Sequence, residues 1–281
     1  MAQVDLRFVH IADLHILADP DRRQYGVDTA AILRRAIPML NRLRPDFVVA
    51  GGDLSGDGSE DSYRRLQELL RPLDAPIHLL MGNHDDRTAF RRVFRPHAAP
   101  TDDPVDAAFE VGGIRFLLLD STLPGKGEGA LSTDQLRWLD RELNASAERT
   151  AWIFLHHQPL PIYIRWLDRI GLANPEPFLE VVARHPQVAA VAYGHVHQAR
   201  SWRYGGALFL AAPALAFQIS PINQEFEISQ ESPGFRVVEI TGGEMRHWLY
   251  FLDGRIVAEP RLPAIPIYVR GSAPGTEGGA P

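Results

Sequence analysis

Val188-Ala-Ala-Val-Ala-Tyr-Gly-His195-Val-His197 runs through six apolar or aromatic residues, stops at a glycine and delivers two histidines. A short β-rich apolar run bounded by turn residues reads as a buried strand. In extended chain beyond it, His195 and His197 fall on the same side. The same arrangement recurs upstream. Leu6–Ile11 runs into Asp13-Leu-His15, Asp46–Ala50 into Gly52-Asp53, Ile77–Met81 into Gly82-Asn83-His84-Asp85, and Trp152–Leu155 into His156-His157. Ile114–Leu119 is a further predicted strand. Each polar cluster begins where an apolar run stops, and strand ends are where α/β sheets hold their ligands. Histidines that served the core would fall inside the strands.

Helical segments separate these strands. Asp28 precedes Ala30–Leu43, which Pro38 is expected to kink or interrupt. Ser59 caps an acidic first turn before Tyr63, Leu66 and Leu70, and Ser132 with Gln135 spells a capping box. Asn174-Pro175 reads as an N-cap with proline at the first helical position, ahead of Phe178–Arg184. Strands alternating with helices predict an α/β domain. Farther on, Ala207–Ala212, Phe235–Ile240 and Met245–Phe251 read as a strand meander, turning at Gly242-Gly243. A second hairpin is predicted at Phe109–Leu119 around Gly112-Gly113. The expected architecture is two packed sheets with helices outside. Residues 1–259 form one domain, with the meander at 207–252, and the Pro/Gly-rich residues 260–281 form an extended arm or tail. Residues 158–174 and 220–233 are long irregular stretches of the kind that carry function.

Composition narrows the chemistry. The chain has 281 residues, 45% hydrophobic and 23% charged, with 29 Lys plus Arg against 35 Asp plus Glu. A net charge of −6 is the opposite of a nucleic-acid footprint, so no nucleic-acid polymer is expected as partner. With no cysteine, disulfides and thiolate sites are excluded, and a metal must be held by His, carboxylate and amide oxygen. Residues 1–5 lack the features of a signal peptide, so a cytoplasmic location is expected. The longest apolar stretch, Ala207–Phe217, is broken by Pro213 and too short to span a bilayer.

Taken singly, each polar cluster has an ordinary reading as a turn, a cap or a loop-bonding pair. Taken in order, Asp-x-His, Gly-Asp, Gly-Asn-His, His and Gly-His-x-His resemble the calcineurin-like metallophosphoesterase superfamily over residues 6 to about 215. The resemblance implies a four-layer α/β/β/α sandwich and a dinuclear site. One metal would take Asp13, His15, Asp53 and His197; the second would take Asn83, His156 and His195, with Asp53 bridging. His157 becomes a neighbouring or substrate-side group, and Asp57 is not expected to be a ligand. The spellings Asp53-Leu-Ser-Gly-Asp-Gly-Ser, Gly82-Asn-His-Asp-Asp and His156-His-Gln-Pro are most similar to the bacterial class III cyclic nucleotide phosphodiesterases and glycerophosphodiesterases. Where members of that branch can carry a polar histidine near the phosphate, this chain offers Phe217.

The implied reaction is hydrolysis of a small phosphodiester, a 3′,5′-cyclic nucleotide or a glycerophosphodiester, by in-line attack of a metal-bridging hydroxide. Two cations about 3.5–4 Å apart clamp a phosphate and acidify a bridging water. Mn, Zn, Fe and Co all suit the donor set. His84 is the expected general acid for the leaving alkoxide. Asp85 either orients that imidazole or caps the helix Asp86–Phe94. Segment 158–174, with Tyr163, Arg165, Trp166 and Arg169, is either a lid that contacts the substrate or an ordinary packing segment, and packing is favoured. The C-terminal strands and arm offer surface for a homo-dimer or higher homo-oligomer. The alternatives are a phosphomonoesterase, a lipid-precursor pyrophosphatase and a metal-free protein-binding scaffold.

Overall fold

The computed structural model describes residues 5–95 and 102–259; the predicted arm at 260–281 lies outside them. Its elements in chain order are β1 (Leu6–Ile11), α1 (Thr29–Leu43), β2 (Phe47–Gly51), α2 (Glu60–Leu70), β3 (Ile77–Leu80), α3 (Arg87–Phe94), β4 (Ala107–Val111), β5 (Ile114–Leu119) and α4 (Thr133–Ala145). They continue with β6 (Ala151–Leu155), α5 (Arg165–Asp168), α6 (Pro175–Arg184), β7 (Val188–Tyr193), β8 (Arg200–Tyr204), β9 (Ala207–Ala211), β10 (Gly234–Thr241), β11 (Glu244–Phe251) and β12 (Ile256–Ala258).

Two six-stranded sheets result, ordered β12-β11-β10-β1-β2-β3 and β4-β5-β6-β7-β9-β8. Strands β1, β2 and β3 run parallel, as do β5, β6, β7 and β9. Alternation along each strand divides the apolar side chains between two layers. In β1, Leu6 and Phe8 join Phe47, Phe116, Trp152, Phe154 and Leu210 between the sheets. Val9 and Ile11 turn the other way, onto Leu33, Ile37, Tyr63 and Leu66 of α1 and α2. The second sheet packs its outer face on α4 and α6 through Leu139, Leu143, Phe178 and Val182. The result is the expected α/β/β/α sandwich. At its centre Phe8 stacks on Phe47 with centroids 5.1 Å apart and meets Trp152 edge-on at 4.9 Å, geometries that aromatic pairs prefer.

Local signals act as read at several points. Asp28 accepts from Ala31 N, and Ser59 from Ser62 N. Ser132 and Gln135 form the complete capping box. Gly112-Gly113 and Gly242-Gly243 have positive φ at both residues, as two-residue hairpin turns require. Three expectations need qualifying. Helix α1 is not interrupted at Pro38, which sits on its exposed face where water can serve the freed carbonyl. Asn174 occupies the cap position, but its side chain bonds Leu131 N and Leu131 O instead. The predicted meander is split: Ala207–Ala211 pairs with β7 and β8 in one sheet, while β10 and β11 pair in the other. Strand β8, with its alternating Arg200-Ser-Trp-Arg-Tyr204 and Gly205-Gly206 turn, was legible by the same rules but was not anticipated.

One buried ion pair joins the halves. Arg87, at the start of α3, gives Nε to Asp120 Oδ2 at 2.7 Å and further N–H groups to Asp102 O and Thr122 O. Asp120 also accepts from Val105 N, Thr122 N and Thr122 Oγ1. Removing one partner of such a pair strands the other charge away from water. Asp120→Ala should therefore lower stability by about 3–5 kcal/mol. A urea midpoint that moves by less than about 1 kcal/mol equivalent would contradict this.

Candidate metal centre

The parallel strands of both sheets end at one rim, and the loops leaving them carry the polar clusters. Asp13 and His15 follow β1, Asp53 follows β2, Asn83 follows β3, His156 follows β6, and His195 and His197 follow β7. The loops extend the sheet pairing: Asp13 N donates to Gly52 O and His15 N to Asp53 O. Of the eight non-glycine residues with positive φ among the described residues, five are Asp13, His15, Asp53, His195 and His197. Concentrating this sparsely populated conformation in one place is typical of a functional site. Gly52 and Gly82 permit the crowding. A Cβ on Gly52 would lie 2.4 Å from His156 Nδ1, and one on Gly82 would lie 2.2 Å from Asp53 N.

The side chains converge in two groups, Asp13, His15, Asp53 and His197, and then Asp53, His156 and His195, within each of which the donor atoms lie within 4.8 Å of one another. Asp53 belongs to both. Its Oδ2 stands 3.6 Å from His15 Nε2 and its Oδ1 stands 3.4 Å from His156 Nε2. His15 and His197 bring their Nε2 atoms to 3.2 Å, and His197 Nε2 lies 3.4 Å from Asp13 Oδ1. His156 Nδ1 meets Gly51 O at 2.8 Å, and His197 Nδ1 meets Phe217 O at 2.7 Å. A carbonyl can only accept, so both Nδ1 atoms carry a proton and both Nε2 atoms face inward, where they coordinate once free of any second proton. Asn83 Oδ1, His156 Nε2 and His195 Nε2 are buried without a hydrogen-bond partner among the described residues. Orphaned acceptors and close-set lone pairs around two carboxylates are what divalent cations satisfy, so the residues present fit the metals that the sequence implied.

Three of the histidines are held in the form that coordinates. Burial pushes His15 and His195 well below the usual imidazole range and His197 down to about 4, leaving the neutral form that coordinates. Burial opposes charge on Asp53, but His156, His84 and His15 outweigh it and hold the carboxyl well below its usual value. Burial likewise opposes charge on His156, yet Asp53 and Asp13 bring it up to about 9. A cation would displace the proton held there.

The remaining sequence-picked residues divide. His84 donates its backbone N–H to Asp53 Oδ1 at 2.9 Å, and its ring stands edge-on to His15 with centroids 4.8 Å apart. It lines the cavity over the cluster, about 230 Å³ in volume, together with Asn83, Trp166, Leu167, Phe217 and others. Asp85 neither orients His84 nor caps α3. Its carboxylate accepts from Gly82 N, Leu54 N, Ser55 N and the Tyr63 hydroxyl, tying the second and third loops together. Asp86 is the cap, accepting from Ala89 N. His157 is buried, with Nδ1 on Ser121 Oγ and Nε2 on Gly127 O, so neither nitrogen is free for substrate. Tyr163 is 75% exposed. It and the exposed Arg165 are absent from the lining, and only Trp166 of the three reaches it. Asp57 accepts from Ser59 Oγ within its own turn and from Ala18 N in the β1–α1 loop. Sequence reasoning missed Tyr25 and Phe226, which also line the cavity. The Tyr25-Gly26 turn dipeptide was the available signal for the first.

Comparison with known proteins places this geometry. A sequence model described as calcineurin-like phosphoesterase matches residues 6–199. A 3′,5′-cyclic adenosine monophosphate phosphodiesterase of Pseudomonas aeruginosa is 36% identical over 230 residues, covering 81% of this chain and 83% of the relative. A probable glycerophosphodiester phosphodiesterase of Arcobacter nitrofigilis is 27% identical over 244 residues, covering 85% and 88%. Among solved structures, a dimetal phosphatase from Danio rerio superposes with a TM-score of 0.69 at 20% identity, over 91% of this chain and 99% of that one, a likeness of fold. Matched motifs, a shared sandwich and relatives above 30% identity over most of its length make this chain a member of the calcineurin-like phosphoesterase family.

Proposed function

We propose that this chain, a metal-dependent phosphodiester hydrolase, is a dinuclear enzyme acting on small diesters, with 3′,5′-cyclic nucleotides ahead of glycerophosphodiesters. The observation that carries this reading is the pair of donor groups sharing Asp53 beneath a cavity that His84 lines. Asp13, His15, Asp53 and His197 would hold one cation, and Asp53, Asn83, His156 and His195 the other. When bound, two such cations supply Lewis-acid charge to a phosphate and an activated water. The protein fixes the donors: Gly51 O and Phe217 O lock two imidazoles in the coordinating tautomer. His84, whose ring lies outside both donor groups, is placed to give a proton to the leaving oxygen. The relative named for cyclic AMP is the more similar of the two, which favours the nucleotide. Among the described residues no helix is long and apolar enough to cross a membrane, and no Lys or Arg lines the cavity, in keeping with a small substrate.

The deciding experiment is a panel of cyclic nucleotides, glycerophosphodiesters and phosphomonoesters on protein loaded in turn with Mn, Zn, Fe or Co. Bis-nitrophenyl phosphate should be turned over faster than nitrophenyl phosphate. A strong monoester preference would overturn the diesterase reading in favour of a phosphomonoesterase.

A further inference from the structure

The cavity over the cluster has an aromatic rim built from three separate segments. Tyr25 comes from the β1–α1 loop, Trp166 from α5, and Phe217 and Phe226 from the stretch after β9. Tyr25 meets Phe217 at 5.6 Å and Phe226 at 5.0 Å, and Phe226 meets Trp166 at 5.8 Å, so the four rings form one continuous wall. Phe217 leans in turn on His15 and His197, which joins the wall to the candidate cations.

Two features mark the wall as a binding surface. Tyr25 is 58% exposed and Phe226 45%, although both are large apolar side chains that burial would favour. Tyr25 also sits at the tip of a two-residue turn, closed by Gln24 N to Val27 O at 3.0 Å and Val27 N to Gln24 O at 2.9 Å. Its φ is +48°, with Gly26 beside it at +84°. Asn, Asp or Gly adopts that conformation cheaply, and a bulky aromatic does not. The strain is kept where the ring hangs over the site. On the opposite side Gln224 clips the two long loops together, accepting from Arg165 N at 3.0 Å and donating to Tyr163 O, so Trp166 and Phe226 are held as a pair.

What this wall can recognise follows from what it lacks. No Lys, Arg or Glu lines the cavity among the described residues, and the one carboxylate there, Asp53, belongs to the cation groups. A charged alcohol would find no counter-ion, and a quaternary ammonium would find rings without the free carboxylate that such cages commonly add. A flat, uncharged heteroaromatic ring needs only π faces.

We propose that Tyr25, Phe226, Trp166 and Phe217 form a nucleobase-stacking subsite that selects nucleoside 3′,5′-cyclic phosphates over glycerol-based diesters. This rests on the diesterase reading above for its catalytic part, but base binding itself does not depend on turnover. Base stacking on a single aromatic residue is worth roughly 5- to 150-fold in affinity. Tyr25→Ala and Phe226→Ala alter exposed rim residues outside the cores.

The test compares wild type with both variants, all Mn-loaded. One measurement is kcat/KM for cyclic AMP divided by that for glycerophosphoethanolamine, with glycerophosphocholine assayed alongside. The other is calorimetric binding of 5′-AMP against ribose 5-phosphate. Wild type should bind 5′-AMP at least about 5-fold more tightly than ribose 5-phosphate, each variant should erase most of that margin, and the kinetic ratio should fall in step. Equal binding of the two phosphates by wild type, or an unchanged ratio in both variants, would overturn the subsite while leaving the diesterase reading intact. Glycerophosphocholine suffering the larger loss would replace it by a quaternary-ammonium site. A preserved 5′-AMP margin in a protein that hydrolyses no diester would support the subsite and remove the diesterase reading.

Discussion

Asp53→Asn is expected to cost at least about 10³-fold in kcat/KM and to empty both cation positions. Asp53 is the carboxylate common to the two donor groups, reaching His15 Nε2 with one oxygen and His156 Nε2 with the other. Asparagine keeps the shape but supplies one carbonyl oxygen and no charge. Two divalent cations would then face the single carboxylate of Asp13, in a site too buried for water to make up the difference. Lewis-acid stabilisation of several kcal/mol is thereby lost, and each 1.36 kcal/mol is tenfold in rate. Elemental analysis of the purified variant separates this from an incidental effect. Retention of two equivalents with more than a tenth of wild-type activity would contradict the bridging role.

His84→Ala should behave differently, keeping the cations and losing turnover. His84 contributes only its backbone N–H to the donor groups, through Asp53 Oδ1, and alanine retains that bond. Its ring lines the cavity beside His15. A general acid contributes about 10²–10⁴-fold, and most where the leaving alkoxide is a strong base. Alkyl diesters and cyclic nucleotides should therefore lose about 10²-fold or more. Nitrophenyl esters, whose leaving group departs unprotonated, should lose far less. Equal losses on both substrate types would rule His84 out as the acid and return it to positioning Asp53.

The candidate metal cluster was legible because it depends on local order. Each donor follows an apolar run, and the run itself predicts a strand whose end the fold brings to the rim. Five donors with positive φ explain why the loops are spelled with Asp, His and Gly. The sandwich was legible for a similar reason, since runs such as Phe116–Leu119 and Trp152–Leu155 can only be buried on both faces. What could not be read were partnerships across the chain. Asp85 lies beside the proposed acid in sequence, yet Leu54 and Ser55 of another loop and Tyr63 of α2 claim its oxygens. His157 stands next to a candidate ligand, but Ser121 and Gly127 fix both its nitrogens. His10 shows the converse case, a histidine inside a strand that packs against Phe154 in the inter-sheet core, where burial first, and then Arg236 and His156, press it down to about 3. Strand β9 precedes β10 and β11 in the chain, yet its ladders to β7 and β8 assign it to the second sheet. The aromatic wall is the extreme instance, because Tyr25 and Phe226 are two hundred residues apart and each looks ordinary alone.

The central claim is that Asp53 stands between two cations. Anomalous diffraction from Mn-loaded crystals, collected on both sides of the Mn absorption edge, tests it most directly. The account predicts two peaks of comparable height, about 3.5–4 Å apart, on either side of the Asp53 carboxylate. One should be bounded by Asp13, His15 and His197, and the other by Asn83, His156 and His195. A single peak in a fully active crystal, or two peaks with Asp53 outside both coordination spheres, would contradict it.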